Sequence, residues 1–162
     1  MDDAFGFKND SHILKPGVKD RIRKIVKIYS EELFRDNQIR AIIDNVFIVG
    51  HASPRFQGKY ISPNSNNHLA YTHNLDLSSQ RANQIVKFIF SKQMGTFQYK
   101  NFFKQKIFSS GRGFSAPVPR PLAKIRMDAA LLIVPNREGW KSSSLLKTVT
   151  GKWPALLTKK LG

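Results

Sequence analysis

Residues Asn74–Ala82 read NLDLSSQRA and run directly into NQIVKFIF, residues 83–90. Ala82, Ile85, Val86 and Ile89 recur at helical spacing, so the sequence predicts a helix from about Ser79 to Phe90. Ser78 stands where a hydroxyl caps the free N–H groups of a first turn. Arg81 then falls inside that first turn, where a cation opposes the helix dipole at a cost of roughly 0.3–1 kcal/mol. A glutamate near that place would have completed a capping box. The residue of the wrong sign calls for a reason, and the flanking sequence supplies one.

Upstream, Asn45–Gly50 (NVFIVG) is a short apolar run closed by glycine, the pattern of a buried strand. Residues 54–73 hold two prolines, a glycine and the cluster Asn64-Ser65-Asn66-Asn67, which predicts a long loop. Further upstream, Pro16-Gly17 precedes Val18, Ile22, Ile25, Val26, Tyr29 and Leu33, one apolar face of a helix with Lys and Arg opposite. A short first strand is expected near Phe5–Lys8. Downstream, GTFQYKNFFKQ suits a short aromatic helix, a strand begins at Ile107, and Met127–Pro135 (MDAALLIVP) is a strongly apolar last strand. The order β-α-β-(loop)-α-β-β implies an α+β sandwich, helices on one face of a small mixed sheet.

Length and composition fit one compact domain, residues 1–138, followed by a basic tail or extra helix at 139–162 with five lysines, no acid and two tryptophans. With no cysteine, neither disulfides nor thiolate metal sites operate. No apolar run reaches membrane-spanning length, and MDDAFGFKND is not a signal peptide. The formal charge of +16 is uneven: net +2 over residues 1–76 and net +14 over 77–162, which invites a polyanion.

Chemistry-bearing constellations are sparse. His12, His51, His68 and His73 lack metal-ligand spacing, no serine sits in a nucleophile elbow, and Gly111–Phe114 opens no amphipathic helix. No enzyme activity, metal or cofactor is expected. Phe97, Tyr99, Phe102 and Phe103 interleave with Lys100, Lys104 and Lys106 as in a single-strand nucleic-acid surface. The plainer reading, core aromatics with a solvated lysine flank, is preferred, and nucleic acid is not the expected partner.

VFIVGHAS followed by NLDLSSQRANQIVKFI resembles the OmpA-like (OmpA/MotB C-terminal) peptidoglycan-binding domain family. There a strand ending G-H-T-D precedes N-x-x-L-S-x-x-R-A at a helix start. Gly50 and His51 match the first motif; Asn74, Leu77, Ser78, Arg81 and Ala82 match the second. FKNDSHILKP resembles the family's opening F-x-x-x-S-x-x-L-x-P, and GRGFSAP its G-x-G-x-x-x-P segment. The resemblance covers roughly Phe5–Pro135 and, with its long loop, is of the MotB type. It implies a non-enzymatic periplasmic domain that anchors an envelope complex by gripping the diaminopimelate of a peptidoglycan stem peptide. Other envelope subunits and a homodimer are further partners it admits. Arg81 and the helix N-terminus would hold a carboxylate, so the cost of the cation is reversed when an anion arrives. Ser53, Asn74, Leu77 and Ser78 would wall the pocket. Ser53 replaces the family's acidic residue, with Tyr71 or Asp76 as candidates to compensate. The alternative is the same fold used as an assembly module of a secretion or motility machine without wall binding.

Overall fold

The computed structural model describes residues 6–8 and 10–114 and the backbone of 129–135. Helix α1 (Pro16–Phe34) opens with proline at its first turn, where a missing N–H costs nothing. Of the predicted face it buries Val18, Ile22, Val26 and Leu33, with Ile25 and Tyr29 partly covered, and it adds Phe34. A short helix α2 (Asn37–Ile42), not foreseen, follows directly because Asp36 accepts from the N–H groups of Gln38 and Ile39. Strand β1 (Ile43–Gly50) is the middle of a three-stranded mixed sheet of order β4-β1-β5. β4 (Ile107–Gly111) runs parallel to it and β5 (Ala129–Pro135) antiparallel, with Gly50 opposite both Gly111 and Ala129. The fold is therefore α+β, with helices packed against a small sheet, as expected.

Three expectations need correction. The first strand is reduced to a single antiparallel bridge between Phe7 and Leu14, since Lys15 N–H closes a tight loop onto the Gly6 carbonyl. The stretch 54–73 is not all loop: it contains a small hairpin, β2 (Arg55–Phe56) and β3 (Lys59–Tyr60), and its last six residues are helical. Finally, the helix expected from Ser79 is α3, His68–Ile89, capped by the Asn67 side chain at the N–H of Ala70. Asn67, read as part of a loop cluster, is thus the helix start itself. The tail at 139–162 and most of the boundary at 138 lie outside the described residues.

One face of β1 sends Val46 and Ile48 into a core with Ala82, Ile85 and Ile89 of α3 and Ile22, Val26, Leu33 and Phe34 of α1. Helix α4 (Lys100–Lys106) turns Phe103 inward, and Phe34 meets the rings of Tyr99, Phe102 and Phe103 at 5.6–6.4 Å. Phe103 is core and Phe97, Tyr99 and Phe102 pack partly buried against it, so these rings are engaged in packing. Among the described residues no helix is long and apolar enough to cross a membrane.

Candidate functional site at the carboxyl edge of the sheet

The parallel strands β1 and β4 end side by side at Gly50 and Gly111. The chain leaving each continues the pairing: Arg112 N–H donates to the Gly50 carbonyl, and Ala52 N–H to that of Gly113. The carboxyl ends of parallel strands are where open sheets place ligands. Here α3 crosses very close. A Cβ at Gly50 would overlap the Ser78 carbonyl oxygen and stand 3.2 Å from Ala82 N; one at Gly111 would stand 2.6 Å from Ser78 Oγ. Only glycine permits that approach.

The motif residues of α3 are its buried face, spaced four and three apart: Asn74 at 1% exposure, Ser78 at 0% and Arg81 at 7%. Each ties a different segment to the helix. Asn74 Nδ2 donates to the carbonyls of Ala70 and, at 3.1 Å, of Arg55 in the hairpin. Ser78 Oγ donates to Leu75 O and accepts from Gly113 N–H at 2.8 Å. It is an interior residue bonding back along the helix, not a cap. Arg81 donates from Nε to Ser11 O at 2.9 Å, from Nη1 to His51 O at 3.1 Å and from Nη2 to Lys8 O at 3.3 Å. Its guanidinium also lies 5.2 Å from the ring centre of Phe7.

This revises the mechanism expected for the arginine. Arg81 is not in a first turn. The α3 N-terminus is at His68, and 81 − 68 = 13 residues at about 1.5 Å each puts it roughly 20 Å away. Arg81 and a helix N-terminus therefore cannot grip one carboxylate together. Nor does the helix dipole disfavour the cation there, since that effect fades within the first turn. The sequence's apparent penalty came from a helix start placed too late.

The remaining expected residues lie at differing depths, and Asp76, two residues from both Asn74 and Ser78, is on the side of α3 opposite its buried face. Ser53 and Asp76 are exposed, and Leu77 is half-buried. Tyr71 is exposed and sets its ring edge-on to Phe114, a buried residue of the β4 exit, at 6.3 Å. His73, not singled out for this site, meets Asp10 at 2.7 Å and the ring of Phe56 at 5.3 Å. His68 is exposed, and among the described residues no three His, Cys, Asp or Glu side chains are grouped as metal ligands. Two residues named in the sequence were given no role there: exposed Arg112, on the loop that Ser78 holds, and the cap Asn67. The glycine on either side of Arg112 was the available signal for the first.

Taken together, the fold and this edge define an α+β domain in which a buried polar helix face organises four loops around a cationic centre. No family model matches the chain, and no curated protein matches it. Among solved structures, the periplasmic domain of Helicobacter pylori MotB is similar, at 16% identity over 89% of this chain and 80% of that chain, with a TM-score of 0.42.

Proposed function

We propose that this chain is a non-enzymatic binding domain of the bacterial cell envelope that holds the peptidoglycan stem peptide at the carboxyl edge of β1 and β4. One observation carries the reading. Motif positions scattered from Gly50 to Gly113 meet at a single edge, with Gly50 and Gly111 beneath Ser78, Ser78 on Gly113, and Arg81 on the chain at His51. Ser53, Tyr71 and Arg112 form the accessible rim, and the diaminopimelate end of the peptide is the ligand. Arg81 reaches a carboxylate by exchanging the carbonyls of Lys8 and Ser11 for it. The exchange gains a bond between two charged groups and releases two main-chain carbonyls, which water at the opened edge must then satisfy.

The second reading, an assembly module that binds no wall, is favoured by a different fact: three donors of Arg81 already engage main-chain carbonyls. Isothermal titration with a diaminopimelate-containing stem peptide separates them. Saturable binding that is weakened by Arg112→Glu, with an unchanged melting curve, supports the first. No heat and no chemical-shift change on residues 51–53 and 112–114 supports the second.

A further inference from the structure

In the order β4-β1-β5, β4 pairs with β1 alone, and among the described residues no strand lies along its outer edge. The bond from Arg112 N–H to Gly50 O fixes which main-chain groups that edge offers. Strand residues alternate sides, so Phe108 and Ser110 point theirs toward β1, while Ile107, Ser109 and Gly111 point theirs outward. Ile107 N–H is taken by Phe103 O at the end of α4. The N–H and C=O of Ser109 and Gly111, and the carbonyl of Ile107, are directed along the open edge.

Proteins commonly blunt such an edge with proline, a bulge or a charge on the strand itself. β4 instead keeps an unbroken register with β1 and has no charged residue or proline from Ile107 to Gly111. Its side chains alternate as well. Ser109 turns toward the helices, with Oγ on Asn83 of α3. Phe108, 52% exposed, lies on the other face, its ring stacked on Phe47 of β1 at 5.6 Å. An added strand would thus gain main-chain bonds from the edge and a ring surface from the face beside it.

Charge selects the occupant. Lys104 and Lys106 precede the strand and Arg112 follows it, and residues 77–114 contain no Asp or Glu. Asp44 of β1 stands at the lysine end, before the first paired residue Val46, and offsets part of that charge. A second copy pairing antiparallel about Ser109 would set Lys106 of each chain opposite Arg112 of the other, and like charges so placed destabilise a ladder. The chain's own residues 139–162 hold five lysines and no acid, so they suit this edge no better.

We infer that the outer edge of β4 is a docking strand for an extended, acidic segment of a partner protein. The segment adds a strand to the sheet, lays apolar side chains beside Phe108 and brings carboxylates to the lysine-flanked end. The inference does not depend on wall binding. Its charge test therefore uses Lys104 and Lys106 and leaves Arg112, on the rim of the wall site, untouched.

The probe is a short synthetic peptide with valine and threonine alternating between terminal pairs of glutamates. It is titrated into the whole chain and followed by heat and amide chemical shifts. The expected result is saturable binding with shifts on Phe47 and residues 107–111. Lysines in place of the peptide's glutamates weaken it about tenfold, and the double change Lys104→Glu, Lys106→Glu weakens the glutamate peptide about as much. N-methylation along the centre of the peptide abolishes binding with the protein unaltered, because the peptide's N–H groups must reach the edge. Ser109→Pro, which removes an outward N–H, abolishes it too, measured beside a melting curve. No saturable binding, equal binding of the N-methylated peptide, or shifts confined to residues outside 107–111 overturns the docking strand. Equal affinity for the lysine peptide overturns the acidic occupant. A concentration-dependent dimer in sedimentation whose formation shifts 107–111 gives the edge to a second copy and overturns it likewise.

Discussion

Replacing Arg81 by alanine should cost the fold heavily, whatever it does to a ligand. The guanidinium supplies bonds at 2.9 and 3.1 Å to the carbonyls of Ser11 and His51, a longer one to Lys8, and a cation–π contact with Phe7. Bonds to a charged group contribute about 1.5–3 kcal/mol each, and a partly desolvated cation–π contact about 1. Two firm bonds at the lower bound plus the ring contact give about 4 kcal/mol, with water admitted to the void returning part of it. For a chain of 162 residues, each kcal/mol moves Tm by about 2–4 °C, so the expected fall is roughly 10 °C. Arg81→Lys keeps the charge but replaces the fork by one ammonium, and should recover less than half. The assay is thermal unfolding followed by amide exchange, which should rise selectively at residues 10–14 and 51–53 in Arg81→Ala. A Tm within 2 °C of wild type, with exchange unchanged there, refutes the assignment of Arg81 as the tie between these segments. For the same reason, lost wall binding by Arg81→Ala counts as evidence about the ligand only alongside an intact melting curve.

Three further outcomes follow from the same geometry. Gly50→Ala forces a methyl group into the Ser78 carbonyl, and the crossing of α3 over β1 must open; a loss of about 3 kcal/mol, the upper part of the usual overpacking range, is expected in denaturant unfolding, and a neutral result contradicts the close approach. Ser53→Asp, at an exposed site, restores the acidic residue of the resembled motif; an exposed ion pair of about 0.3–1 kcal/mol predicts a two- to fivefold gain in affinity for diaminopimelate at low salt, and no gain removes Ser53 from the site. Burial raises the Tyr29 phenol above its ordinary 10.0. Above that pH the unfolded chain has lost a proton that the folded one keeps, so stability is full below pH 10 and declines as pH rises through it; phenolate absorbance should appear later in the folded protein than in the denatured one.

What the sequence made legible was set by hydropathy. α1, β1, β4 and β5 carry apolar runs or stripes whose period names the element, and each lies where the pattern puts it. The start of α3 did not, because along its first fourteen residues it turns Asn74, Ser78 and Arg81 inward, and a buried polar face has no apolar period. The same cause hid the arginine's partners. They are main-chain carbonyls, which every residue offers, so the identities of Lys8, Ser11 and His51 gave no sign of them. The hairpin was obscured differently. Its turn places Gln57 where asparagine or glycine is usual, which weakens the ordinary signal, although Phe56-Gln57-Gly58-Lys59 has the right length. The motif thus marked residues that the fold buries and ties to separate segments, and concealed the way they do so.

The central claim, a wall-binding edge, is tested most directly by co-sedimentation of the wild-type chain with purified sacculi. Residues 77–114 hold seven Lys and Arg and no acid, so unspecific attraction to an anionic polymer must be screened, and about 0.3 M salt reduces the Debye length to roughly 6 Å. Under those conditions the account predicts that the protein pellets with sacculi and is released by excess free diaminopimelate but not by an equal concentration of lysine. Protein left in the supernatant, or pelleted protein that both competitors release alike, contradicts it.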